Sequence, residues 1–102
     1  MQIRPTREFA DWLRNLKDKQ GRSKIVIRLD RLQDGNPGNA KSVGEGIMEL
    51  KINFGPGYRI YLGRDGDVLV ILLTGGTKKR QQRDIEAATE FWRAYKHSKR
   101  RG

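Results

Sequence analysis

A chain of 102 residues has room for one domain with one modest core, and residues 1–102 read as a single unit. The absence of cysteine excludes disulfides and thiolate metal sites, and a lone histidine, His97, without clustered carboxylates leaves no ligand set for zinc; no metal or other cofactor is expected. A net charge of +10 points to a polyanionic partner, and with no apolar run long enough to span a membrane and no signal-peptide pattern the expected location is the cytoplasm.

Ile3 marks a short N-terminal strand. Thr6 is placed to cap a helix after Pro5, with Phe9, Trp12, Leu13 and Leu16 at helical spacing. Glu8 and Asp11 fall in the early turns, where the helix dipole favours negative charge, and Gly21 is expected to end the helix. Ser23 then opens a second helix with Ile25, Val26, Leu29 and Leu32 as its apolar stripe, and the run DGNPGN at 34–39 breaks it. Residues 7–33 thus form a helical hairpin with one apolar side, and Trp12 belongs to the core. Residues 40–46 (AKSVGEG) are an ambiguous lead-in that reads as a strand extension interrupted by glycines.

Residues 47–75 organise the rest. Met48, Leu50, Ile52 and Phe54 alternate with Glu49, Lys51 and Asn53, which predicts a half-buried strand. Gly55-Pro56-Gly57 suits a reversal, and Tyr58, Ile60 and Leu62 then alternate with Arg59 and Tyr61. A three-residue loop would set Ile52 opposite Ile60, Asn53 opposite Arg59 and Lys51 opposite Tyr61. Asp65-Gly66 is a favoured hairpin pair, and Val68–Leu73 is apolar on both faces, as in a central strand. Lys51, Arg59 and Tyr61 are expected to share one open face of the sheet. The ordinary reading of a strand lysine or arginine is a solvated face. Val70 and Leu72 are expected on that same face, covered by the C-terminal helix or by a partner.

Beyond the third strand, Gly75-Gly76-Thr77 leads into Lys78, Lys79 and Arg80. A glycine pair ahead of cations lets a phosphate approach closely, although the spacing of a Walker loop is absent. A helix follows from about Arg80 to Tyr95 or beyond, with Ile85, Ala88, Trp92 and Tyr95 on one side. Its start carries Lys78, Lys79, Arg80 and Arg83, against the dipole preference, which adds weight to an anion-binding role. Residues 76–102 hold nine basic and three acidic side chains, so the positive field is directional, and the tail from Lys96 through His97 to the end reads as a frayed basic arm.

The order helix, helix, three-stranded meander, basic helix, with ELKI, GPGYRIY, a DG-turned strand ending in GG-x-KK and QxRDI opening the last helix, resembles the RelE/ParE superfamily of toxins. More narrowly it is similar to the HigB-like addiction module killer group, over nearly the whole chain. The resemblance implies an α+β, RelE-like fold: an N-terminal helical hairpin packed on a mainly antiparallel sheet of three to four strands, with a C-terminal basic helix. It implies a type II toxin that cleaves messenger RNA, in most relatives on the ribosome, by attack of a 2′-OH. The alternatives are a ParE-like DNA gyrase poison and a non-catalytic nucleic-acid-binding protein. The implied partners are a small HigA-like helix-turn-helix antitoxin, the ribosome and messenger RNA, with operator DNA met only through the antitoxin.

Such cleavage needs a base for the hydroxyl, a donor for the departing 5′ oxygen and positive charge on the phosphorane. Carried onto this chain, the resemblance makes Arg59 the phosphate clamp, Lys51 base or electrostatic support, and Lys78 or Lys79 donor or phosphate ligand. Tyr61 is expected to stack on a base, with Asn53, Arg80, Arg83, Lys96 and His97 as further RNA contacts. Several RelE-like enzymes have a tyrosine early in the last helix where this chain has Ile85. It also implies that Arg59→Ala abolishes activity and leaves the fold intact.

Overall fold

The computed structural model describes the backbone of residues 1–101 and the side chains of 1–100. The elements run β1 (Gln2–Pro5), α1 (Arg7–Arg14), α2 (Lys19–Gln33), β2 (Ala40–Gly44), β3 (Ile47–Ile52), β4 (Tyr58–Asp65), β5 (Leu69–Thr77), a 3-10 turn (Lys78–Arg80) and α3 (Gln81–Arg101). The strands make one five-stranded sheet in the order β1-β5-β4-β3-β2, antiparallel except for β1, which runs parallel to β5. The architecture is α+β with a mixed sheet. Ile3 and the 40–46 lead-in supply the two edge strands.

Thr6 caps α1 by accepting from the Phe9 N–H at 3.1 Å, while its hydroxyl donates to the Leu73 carbonyl at 2.8 Å and so ties the helix start to β5. α1 stops at Arg14, well before Gly21. Gly21 instead lies inside α2, because Asp18 caps that helix and accepts from the Gly21 N–H at 2.9 Å. A Cβ there would come within 2.6 Å of the Tyr58 ring. The glycine serves close packing of helix on strand, and it is not a terminator. The same Asp18 accepts the Tyr58 hydroxyl at 2.7 Å; burial, then that carboxylate, push the Tyr58 pKa up to about 12.

Period-two alternation gives the sheet two apolar faces. One, built of Leu50, Ile52, Tyr58, Ile60, Leu62, Val70 and Leu72, packs under α1 and α2 against Phe9, Ile25 and Leu32. The other, with Ile47, Tyr61, Ile71 and Leu73, packs under α3 against Ala88 and Trp92. Two expectations change here. The β3–β4 loop spans 53–57, so Ile52 pairs with Tyr58, Lys51 with Arg59 and Glu49 with Tyr61. This two-residue slip leaves every side chain on its expected face, because the strand repeat is two. Val70 and Leu72 lie on the α1/α2 face, away from Arg59. Asp65 pairs with Leu69, which sets Leu72 opposite Leu62; a bulge at Leu73 then brings Thr74 opposite Tyr61 and Gly76 opposite Arg59.

α3 uses the expected stripe of Ile85, Ala88, Trp92 and Tyr95, but it continues through the segment expected to fray. Asp65, at the end of β4, accepts from both the Tyr95 hydroxyl and the Lys99 ammonium, which fastens the last turns to the sheet. Lys99, then Tyr95, hold the Asp65 carboxyl below its ordinary 3.8. A carboxylate depressed in the folded state adds stability that is complete above the unfolded pKa and disappears as pH falls through the folded value. Thermal melts below about pH 4 are therefore expected to be less acid-sensitive in Asp65→Asn than in the parent. Identical acid limbs would show that the contact is not formed in solution. Among the described residues, no helix is long and apolar enough to cross a membrane.

Candidate functional site

The cations of the sheet and of the basic turn meet at one end of the central strands. Lys51, Arg59 and Gly76 lie side by side across β3, β4 and β5. Gly57, at φ +79°, turns its carbonyl so that it accepts from the Lys78 backbone N–H at 2.8 Å and from Arg59 Nη1 at 3.1 Å. A residue with a side chain at position 57 would be strained, and its Cβ would lie 3.2 Å from Arg59 Nη1 and 3.4 Å from Lys78 Cβ. The loop that reverses β3 into β4 therefore fixes the guanidinium beside the start of the 78–80 turn. Lys51, Lys78, Lys79 and Arg80 are exposed around it, as is Asn53 in the loop.

Arg59 is not open. It is 4% exposed, and Glu49, at 2%, places Oε1 3.9 Å from its Nε, an ion-pair distance too long for a hydrogen bond. Gln81, in the first turn of α3, donates to Glu49 Oε2 at 2.8 Å. Arg59 Nε is sealed without a partner; Nη2 makes no hydrogen bond among the described residues and is not one of the sealed atoms. Thus α3 lies across the face that alternation assigned to solvent. Tyr61, expected there as a stacking platform, is 0% exposed, with its hydroxyl unpartnered. Burial, then the Glu49 charge, drive its pKa far up, so it stays a phenol. A ring sealed in this way has no face to offer a base.

Asp84 completes this buried polar layer. It is 8% exposed, its carbonyl accepts from Thr74 Oγ1 at 3.1 Å, and its Oδ2 has no partner. Burial raises its pKa, and Arg80 and Arg83 pull it back. Beside it opens a cleft of about 490 Å3 between α1 and α3, bounded by Trp12, the Gly75-Gly76 segment, Arg80 and Arg83.

The structure therefore unites Arg59, Lys51 and Lys78, with Lys79, Arg80, Arg83 and Asn53 near the same end. It does not bring in Lys96 and His97. These lie some fifteen residues along α3, about 22 Å at the helical rise, near the β4–β5 hairpin. Lys96 is instead spent over the Trp92 ring at 5.6 Å. Three residues escaped the sequence reading: Glu49, Gln81 and Asp84. Alternation did put Glu49 on the Lys51 face, and the C-terminal helix was one of the two covers expected there, but nothing in the sequence said that it would bury Glu49 with Arg59 and Tyr61; the observed register sets Glu49 opposite Tyr61.

A family model described as "Phage derived protein Gp49-like (DUF891)" matches residues 11–96. An uncharacterized protein of Haemophilus influenzae is 50% identical over 88 residues, covering 86% of this chain and 89% of that protein.

Proposed function

The chain belongs to the Gp49-like family of phage-derived proteins, which is associated with RelE-like toxin–antitoxin systems, and from that premise we propose that it is the toxin of a type II toxin–antitoxin pair. Within that class it acts as a metal-independent endoribonuclease of the HigB-like kind, cleaving cytoplasmic messenger RNA on the ribosome and held in check by a small antitoxin. The observation that carries this reading is the junction at Gly57, where one carbonyl binds both Arg59 and the first residue of the Lys78–Arg80 turn.

The chemistry follows from that junction. Arg59 Nη2, with Nη1 already anchored, grips a non-bridging phosphate oxygen as charge grows on the phosphorane. Lys51, its exposed cross-strand neighbour, supports the attacking 2′-oxygen and accepts its proton. Lys78 or Lys79 gives a proton to the departing 5′ oxygen. Glu49 stands behind the clamp and orients it.

The test uses exposed residues, whose loss spares the core. Induced in bacteria, the parent should arrest growth and leave phased 5′ ends within messages. Lys51→Ala and Lys78→Ala should each lower cleavage by about 100-fold with unchanged thermal midpoints. Intact messages in arrested cells would refute the nuclease.

The burial of Arg59 beside Glu49 favours a second reading, in which the basic end binds without cutting, as a gyrase poison or nucleic-acid-binding module. DNA breaks with intact messages mark the first of these. Strongly salt-dependent binding without toxicity marks the second.

A further inference from the structure

We propose that the groove between α1 and α2 docks an acidic amphipathic helix of a partner protein. The inference stands apart from the nuclease reading, since the groove opens on the α1/α2 face of the sheet and Arg59 lies on the α3 face. α1 and α2 do not pack along their length, and the space between them measures about 500 Å3. Its walls are Ala10 and Leu13 from α1 and Leu29 from α2, and Ile3 of β1 lies along its floor.

The apolar lining is left unfinished. Phe9 and Leu72 are buried at the base of the groove and belong to the core. Ile3, Leu13 and Leu29 pack against that core, yet each is only partly buried. Three large apolar side chains from three separate elements thus converge on one groove and stay partly wet, and a further apolar surface laid over them would dry all three. Helical spacing puts Val26, 42% exposed, on the same side of α2 as Arg22, Leu29 and Gln33, so the apolar strip continues onto the rim.

Charge and shape define the occupant. Arg14 and Arg22 are the charged side chains of the lining, and no carboxylate lines the groove among the described residues. Arg14 is paired with Asp11; Arg22 has no acidic partner among the described residues and reaches only the Arg14 carbonyl, at 3.5 Å. A free cation beside an apolar groove selects an acidic occupant, and it works against a second copy of this chain, which carries the same net +10. The walls select a helix. Two helices that diverge over a sheet present ridges to a third, and the 8 residues of α1 span roughly 12 Å, room for about two turns. An added strand has less to gain: β1, the neighbouring edge, is 4 residues long and ends on Pro5, which has no N–H to donate.

The test uses the full chain and two labelled synthetic peptides of about 15 residues, both made of the same leucines, alanines and glutamates. In one the leucines fall on a single helical stripe; in the other they are shuffled so that no stripe forms. Affinity is read by fluorescence anisotropy, and the place of contact by backbone-amide NMR shifts. The striped peptide is expected to bind about tenfold tighter than the shuffled one, to gain helix on binding, and to shift the amides of Ala10, Leu13 and Leu29. Arg22→Glu should remove about tenfold of that affinity, whereas Lys41→Glu, at an exposed position on β2, should leave the ratio of the two peptides unchanged. Gln33→Glu, an exposed change that sets a carboxylate in the lining, should also weaken the striped peptide and stands in if Arg22→Glu fails to fold. Equal binding of the two peptides, no binding, or shifts confined to Lys78–Arg80 would overturn the inference. So would an extended bound peptide, or groove shifts that grow with protein concentration alone, which would put a strand or a second copy there instead.

Discussion

Arg59→Ala is expected to cost about 3–5 kcal/mol of stability, in addition to its effect on activity. The guanidinium is the counter-charge of Glu49, which is 2% exposed beneath α3 and otherwise bonded to Gln81. Removing it leaves a carboxylate in a site that water does not reach. A buried ion pair is not itself strongly stabilising, since desolvation offsets most of the attraction, but breaking one by halves is costly. Glu49→Gln in the same chain should therefore restore most of the loss, because the neutral amide keeps its shape and its contact with Gln81. Urea melts of the two single variants and the double give the coupling directly. An alanine variant within about 1 kcal/mol of the parent would mean that Glu49 is solvated in solution and that α3 does not lie closed over it.

This result alters how the arginine is to be tested. The resemblance implied that Arg59→Ala silences the protein and leaves the fold intact. With the side chain buried, loss of activity in that variant has two causes that a growth assay does not separate. The double variant separates them: a folded but inactive Arg59→Ala/Glu49→Gln protein assigns the loss to chemistry.

Trp92→Ala should be as damaging, at about 3–5 kcal/mol, for a different reason. Trp92 is the largest side chain that α3 buries. It stacks on Tyr95 at 5.4 Å with planes 5° apart and lies so close to β4 that a Cβ at Gly63 would fall 2.5 Å from its ring. Truncation opens a void over the middle of the sheet, and β4 and α3 are too stiff to collapse into it. Gly63→Ala alone overpacks the same contact and should destabilise by about 1–3 kcal/mol. The two changes should be non-additive, with the glycine substitution nearly free once the indole is gone. Additive losses would place Trp92 elsewhere. Hydrogen exchange gives a second reading: amides of α3 should lose protection before those of β4 and β5.

Much of the architecture was written in local patterns. The spacing of Phe9, Trp12 and Leu13 and the Thr6 cap are confined to a few residues, and they specify α1 without help from the rest of the chain. The alternation in 47–52 and 58–62 fixed which side chains share a face, and it did so despite a wrong loop length, since a slip of two residues changes no face. Gly21 was misread because a glycine at a helix end and a glycine under an aromatic ring look alike until the ring is placed; Tyr58, which presses on it, is 37 residues away.

Lys51, Arg59 and the Lys78–Arg80 turn were likewise legible as a basic group, because strand parity and the break after β5 depend only on neighbours in sequence. Their burial was not. An amphipathic helix advertises one apolar stripe, yet nothing in that stripe names the sheet face that it will cover. Tyr61 and Arg59 read as open because polar residues alternating with apolar ones usually face water. In this fold α3 returns across them, and Glu49, Gln81 and Asp84 close around what alternation had left exposed. Sequence settles the side of a strand on which a residue stands, because that is a property of consecutive peptide units. Whether that side meets solvent or a helix is decided by packing between segments dozens of residues apart, and only the assembled tertiary structure contains it.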